Sequence, residues 1–175
     1  MTIALIFDTE TTGLLLPKAA DLNKQPRIIE LALARVEHGK IVSEHEWLID
    51  PECVISAEIT KITGITNEMV AGKQKFRELL GEIEEAFAGA DTLIAHNAPF
   101  DVGMLTTELQ RCERTGFPWP LATMCTVQEF MHLKGRRLKL TQLYELKLGK
   151  VLAQTHRALD DVIALAEICV KEGLA

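Results

Sequence analysis

The chain reads as an α/β domain built on a mixed sheet, and three observations carry that reading. A short apolar run, Ile3-Ala4-Leu5-Ile6-Phe7, ends at an acid, as expected of a strand buried on both faces. Two β-rich segments, 27–37 and 40–49, meet at His38-Gly39 and form a hairpin. After residue 76, helical patterns alternate with two further short apolar strands. An antiparallel meander followed by crossover connections results, with its ligand site at strand ends and adjacent helix starts.

The elements follow in order. The first strand covers residues 2–8. A loop with Pro17, Asn23 and Pro26 runs from Leu14 to Pro26, ahead of the hairpin. Residues 56–72 read as short helical turns broken at Gly64 and Gly72. Phe76, Leu79, Leu80, Ile83 and Phe87 recur at helical spacing and define an amphipathic helix. A strand at 92–95 leads to a helix that Pro99 opens, ending near Arg114, since proline loses little in a first turn. A strand at 122–125, helices near 126–133 and 140–148, and a last helix over 158–171 complete the chain. We expect one domain over residues 1–175.

Composition narrows the function classes. The 175 residues are 47% hydrophobic and 25% charged, which excludes a disordered or fibrous chain. No apolar run reaches the roughly 20 residues of a membrane span, and the N-terminus lacks the basic n-region of a signal peptide. The four cysteines are scattered without a CxxC pair and read as reduced thiols, so a cytoplasmic protein is expected. A net charge of -6 argues superficially against nucleic acid. Its distribution argues otherwise: residues 1–110 hold 9 basic and 18 acidic side chains, while residues 111–157 hold 9 basic and 3 acidic. The basic stretch reads either as a surface that faces a polyanion or as a solvated helix face.

Three places carry candidate chemistry. Asp8 and Glu10 stand at i and i+2, so on a strand both carboxylates project to one face. They repel unless a cation sits between them, and hard oxygen donors suit Mg²⁺ or Mn²⁺; otherwise they are acids that close a strand. Asp101 falls in a helix's first turn with Leu105, Leu109 and Cys112 on its face, so it points inward and needs a partner or a metal, or else serves the helix dipole. In His156-Arg157-Ala158-Leu159-Asp160-Asp161, Asp161 shares the apolar stripe of Leu165 and Ile168, whereas Asp160 shares its face with Glu167 and Lys171. Asp161 is therefore assigned to the site and Asp160 to solvent. His156, just ahead of that helix, is either a surface residue or a base able to take a proton from water near neutral pH. Four carboxylates around one point suit two divalent ions roughly 3.5–4 Å apart, the arrangement for displacement at phosphorus.

Asp8-Thr9-Glu10-Thr11-Thr12-Gly13, His96-Asn97-x-x-Phe100-Asp101 and His156-x-Ala158-x-x-Asp161 resemble the three motifs of the DEDDh 3′→5′ exonucleases, among them the proofreading (epsilon) subunits of bacterial DNA polymerase III. The resemblance runs from residue 2 to about 172 and includes Arg27-Ile28-Ile29-Glu30, Asp50-Pro51 and Gly64-Ile65-Thr66 in order. It implies a ribonuclease H-like mixed five-stranded sheet flanked by helices. It further implies two Mg²⁺ (or Mn²⁺), one held by Asp8, Glu10 and Asp161 and the other by Asp8 and Asp101, with His156 as general base. Backbone groups of Thr9 and Thr11, Leu14 as an apolar wedge, Asn97 and Phe100 would contact the terminal nucleotide, and Glu58 would reach its 3′-hydroxyl.

The chain departs from that pattern in places. Thr63 stands where epsilon-like proteins usually carry histidine, so its contact to the terminal nucleotide is expected to be weaker or water-mediated. The loop from Leu14 to Pro26 is longer than usual and is expected to alter substrate approach. A polymerase is among the implied partners, although no tail to engage one is expected after the last helix. The resemblance implies nucleic-acid 3′ ends as partners, with single-stranded or frayed DNA preferred, carried by Lys134, Arg136, Arg137, Lys139, Lys147 and Lys150. An RNA 3′-end trimming enzyme, an endonuclease of the same fold and a catalytically silent end-binding module are the alternatives.

Overall fold

A computed structural model describes residues 2–17, 20–153 and 156–175. Its core is a five-stranded sheet of β1 (Ile3–Thr11), β2 (Ile28–Glu37), β3 (Lys40–Leu48), β4 (Thr92–Ala95) and β5 (Ala122–Cys125), in the spatial order β3-β2-β1-β4-β5. The first three strands pair antiparallel, and β1, β4 and β5 run parallel. The turn at His38 and Gly39 has both φ angles positive, 53° and 70°, as the right-handed twist of a two-residue hairpin requires. The helices are α1 (Ala57–Thr63), α2 (Asn67–Val70), α3 (Phe76–Phe87), α4 (Ala98–Arg111), α5 (Thr126–Glu129), α6 (Leu140–Leu148) and α7 (Ala158–Lys171). Gly64, at φ 72°, ends α1 in the left-handed conformation that glycine adopts without steric cost.

Alternation along the strands divides the core into two layers. Leu5, Phe7, Leu31, Leu33 and Leu93 pack against Phe76, Leu79, Ile83 and Phe87 of α3 and Met104, Leu105 and Leu109 of α4. Ala4, Ile6, Ala32, Ala34 and Ile94 face Leu143 of α6 and Val162, Leu165 and Ile168 of α7. Three alanines on that face let α7 lie close to the sheet. The even-numbered row of β1 therefore points at α7, and Asp8 and Glu10 continue it.

One boundary differs from expectation. The first strand does not close at Asp8 but pairs with β2 through Thr11, with Asp8 opposite Ala32 and Glu10 opposite Glu30. Hydropathy falls at Asp8, but the backbone ladder does not, because threonine suits a strand. The two carboxylates are thus held by strand geometry rather than by a loop. The helix expected over 126–133 is also shorter, divided into α5 and a 3₁₀ turn at Met131–Leu133.

Candidate active site

The site forms where β1 outruns its parallel neighbour. Pairing of β1 with β4 ends at Ile6 opposite Ile94, which leaves the next β1 groups on that side without a strand. The chain leaves β4 through Asn97, at φ 78°, and enters α4 with proline in its first turn. Asp101, 2% exposed, then stands beside β1 and accepts both the Thr9 N–H at 3.1 Å and the Thr9 hydroxyl at 2.7 Å. From the opposite layer, α7 brings its first turn to the even-numbered row. Glu10, His156 and Asp161 each offer a donor atom within 4.8 Å of the others. Asp160, its neighbour in sequence, is exposed.

Electrostatics bind these groups into one unit. Burial holds the Asp8 carboxyl well above the usual carboxylate range, and the charges of Asp101, Glu10, Asp161 and Glu30 push the same way. Burial lifts Glu10 to about 8, helped by Asp161, Glu30 and Asp101 and opposed by Arg157. Burial raises Asp101 to about 7 although the two Thr9 bonds pull it down. Carboxyls that cannot all ionise together are a donor set for a hard dication, which would let them do so. The residues therefore fit a Mg²⁺- or Mn²⁺-type cofactor.

This has a thermodynamic consequence with a fixed sign. Carboxyls whose folded pKa is raised stabilise the fold below their unfolded values near 4, and that contribution fades as pH rises through the folded values. In chelator, the melting temperature should fall between about pH 6 and pH 8.5, and saturating Mg²⁺ or Mn²⁺ should raise it by roughly 5–10 °C, more at the higher pH. A melting temperature indifferent to both pH and divalent ions would contradict the carboxylate cluster.

Several of the groups expected to contact nucleic acid bond within the protein. Thr63 was expected at the terminal nucleotide, but it is 2% exposed, and its hydroxyl donates to the Ile59 carbonyl at 3.0 Å and accepts the Ile65 N–H at 3.1 Å. That hydroxyl closes the turn after α1. Of the Thr9 backbone groups expected at the nucleotide, the N–H is donated to Asp101. Lys147, counted in the basic track, pairs with Glu172 at 2.5 Å and lies over the Phe130 ring, 4.5 Å from its centroid, whereas Lys134, Arg136, Arg137, Lys139 and Lys150 are exposed. Thr11 is buried and donates its hydroxyl to the Gly13 carbonyl at 2.8 Å. Leu14 is 80% exposed just past β1, Glu58 is exposed in the first turn of α1, and Asn97 and Phe100 are half-buried where α4 begins.

The long loop after Leu14 is tied down rather than free. Arg111 donates to the carbonyls of Pro26, Leu22 and Gln25 at 3.1, 2.9 and 2.7 Å, and Gln25 bonds both the N–H and the carbonyl of Leu16. Lys18 and Ala19 of this loop lie outside the described residues. A cleft of about 800 Å³ runs between the loop and α4, lined by Leu15, Pro99, Val102 and Thr106 and not by the carboxylates.

Sequence reasoning missed two structural roles. His96 Nε2 lies 3.0 Å from the Leu138 carbonyl, which can only accept, so Nε2 donates, and Nδ1 lies 3.0 Å from Thr126 Oγ1. Burial pushes the His96 ring below the usual imidazole range, and the ring fastens the basic 134–139 segment to the end of β4. Glu30, fully buried opposite Glu10, accepts from Arg157 and from the Ala158 N–H. A lone acid inside Ile28-Ile29-Glu30-Leu31-Ala32-Leu33 was the available signal, since a buried charge needs a partner.

A family model described as Exonuclease (RNase_T) matches residues 5–169. The PolC-type DNA polymerase III of Clostridium perfringens (strain 13 / Type A) is 34% identical over 164 residues, which cover 94% of this chain and 11% of that protein. The chain thus spans a small fraction of the PolC-type relatives' length. The DNA polymerase III subunit epsilon of Treponema pallidum (strain Nichols) is 32% identical over 166 residues, 94% of this chain and 72% of its own. Exonuclease X, solved in complex with 5′ overhanging duplex DNA, is 26% identical with a TM-score of 0.68, covering 95% of this chain and 89% of that one. The nuclease domain of 3′hExo, a DEDDh family member bound to rAMP, shares the fold at a TM-score of 0.76 and 20% identity, covering 97% of this chain and 90% of that one. The chain belongs to the Exonuclease (RNase_T) family.

Proposed function

We propose that the chain removes nucleoside 5′-monophosphates one at a time from the 3′ end of DNA, with single-stranded or frayed ends preferred. The observation that carries this reading is the meeting of Glu10, His156 and Asp161 within 4.8 Å, beside Asp8 and Asp101. Two Mg²⁺ or Mn²⁺ ions, one held by Asp8, Glu10 and Asp161 and one by Asp8 and Asp101, would acidify the attacking water and offset charge on the leaving 3′-oxygen. His156 accepts one proton of that water as its oxygen bonds to phosphorus and the bond from phosphorus to the 3′-oxygen breaks. The released 3′-oxygen takes a proton from solvent, and His156, being exposed, returns its own there. Leu14, Glu58, Asn97, Phe100 and the backbone of Thr11 hold the terminal nucleotide. Lys134, Arg136, Arg137 and Lys139 guide the strand by phosphate contacts, so affinity falls steeply with salt. DNA is favoured because the relatives at 32–34% identity are DNA polymerase III proteins by name.

The test uses 5′-labelled single-stranded DNA, duplex DNA and RNA of matching sequence with Mg²⁺ or Mn²⁺. A ladder shortened from the 3′ end, fastest on DNA, is expected. Faster shortening of RNA would transfer the reading to RNA trimming, and internal cuts would mark an endonuclease. Asp161→Ala should slow the ladder by at least about 10³-fold, while Asp160→Ala stays within about threefold. The reverse order would overturn the ligand assignment.

A further inference from the structure

We propose that Glu30 is a positioning residue for this reaction: its carboxylate clamps the start of α7 and so sets His156 and Asp161 against Asp8 and Glu10. The inference rests on the reading of His156 as the base. Glu30 lies directly opposite Glu10 in the antiparallel ladder, so both side chains project to the α7 face of the sheet. It is fully buried, and both of its oxygens are engaged. One accepts from Arg157 Nε at 2.8 Å and from Arg157 Nη2, and the other accepts the Ala158 N–H at 2.7 Å. Arg157 Nη2 also reaches Glu46 on β3 at 3.2 Å. A carboxylate so occupied and neutralised is unsuited to serve as a fifth ligand beside Glu10. It acts instead on the two residues that follow His156.

Two features of α7 show why the clamp matters. The helix has no side-chain cap of its own at Arg157. Its first free N–H is satisfied from across the sheet by Glu30, whose charge also suits the positive end of the helix. His156 itself has φ 52°, a left-handed conformation that non-glycine residues keep only when their surroundings fix it. Among the described residues, the Glu30 contacts at the next two positions supply such surroundings. The catalytic imidazole is thus held by a residue of β2 that need not touch the substrate, and a displacement of about 1 Å at a reacting group can cost on the order of 10²-fold in rate.

The test is a double-mutant cycle between Glu30→Gln and His156→Ala, read by kcat and KM on 5′-labelled single-stranded DNA below the melting temperature of every variant. Glu30→Gln should lower kcat by roughly 30- to 100-fold with KM within about threefold, yet lower it by less than about threefold once His156 is already alanine. The pair Glu30→Leu/Arg157→Leu, which removes both charges together, should melt near the wild-type temperature and remain slow, separating position from folding. In metal-free protein labelled with ¹⁵N-histidine, the His156 ring signals should move or broaden in Glu30→Gln while those of His96 do not. Effects that multiply across the cycle, a paired variant as fast as wild type, or unmoved His156 signals would overturn the inference and leave the base reading standing. A fully active His156→Ala would instead sink the base reading and this inference with it.

Discussion

Replacing Asp8 with asparagine is expected to slow cleavage by at least about 10³-fold, about 4 kcal/mol of transition-state stabilisation, and at the same time to raise the melting temperature of the metal-free protein. The two effects have one cause. Asp8 is half-buried among Asp101, Glu10, Asp161 and Glu30, and each of those charges disfavours its ionised form. An amide of the same shape removes one member of that repulsion. At pH 8.5, where Asp101 at about 7 and Glu10 at about 8 are largely ionised, the relief should be worth roughly 1–2 kcal/mol, or about 2–8 °C in melting temperature. Near pH 5 Asp101 and Glu10 are largely protonated and the gain should shrink. Asp8 is also the one carboxylate assigned to both metal positions, so no other ligand compensates for its loss. Kinetic assay beside thermal melts at the two pH values checks both halves. A variant that is both active and destabilised would mean Asp8 is a structural acid.

His156→Ala should cost about 10²–10⁴-fold in kcat, the range of one general base, with a smaller effect on KM. The residue stands in a left-handed backbone conformation next to Glu10 and Asp161 and is exposed, so its ring can reach water and return a proton to it. His156→Gln keeps a polar side chain of similar reach without a titrating nitrogen. It should match the alanine variant in rate if proton transfer is the role. Recovery of most of the activity by glutamine would point to a hydrogen-bonding role instead.

Periodicity made much of this site readable in the sequence. The alternation that buries Ala4 and Ile6 against α7 also aims Asp8 and Glu10 there, and the helical spacing from Leu165 and Ile168 separates Asp161 from exposed Asp160. Polar-to-polar geometry was less readable. The end of β1 was placed at Asp8 because apolarity stops there, whereas backbone pairing continues to Thr11. Nothing local marks Thr9 as the partner of Asp101, 92 positions away, or Glu30 as the partner of Arg157, 127 away. Thr63 looked like a weakened ligand contact because its position was read by analogy, and its hydroxyl is used within its own turn. Lys147 looked like part of a basic track until its pairing with Glu172 withdrew it. The net charge of -6 misleads for a related reason, since it averages an acidic site with exposed basic residues between 134 and 150.

The carboxylates around the end of β1 are proposed to form one divalent-metal site. Calorimetric titration of Mn²⁺ into the metal-free chain, with a nucleoside 5′-monophosphate present, tests it most directly. Two ions per chain are predicted for the wild type, and one or none for Asp8→Asn. Absence of Mn²⁺ binding by the wild type, or unchanged stoichiometry and affinity in Asp8→Asn, would contradict the account.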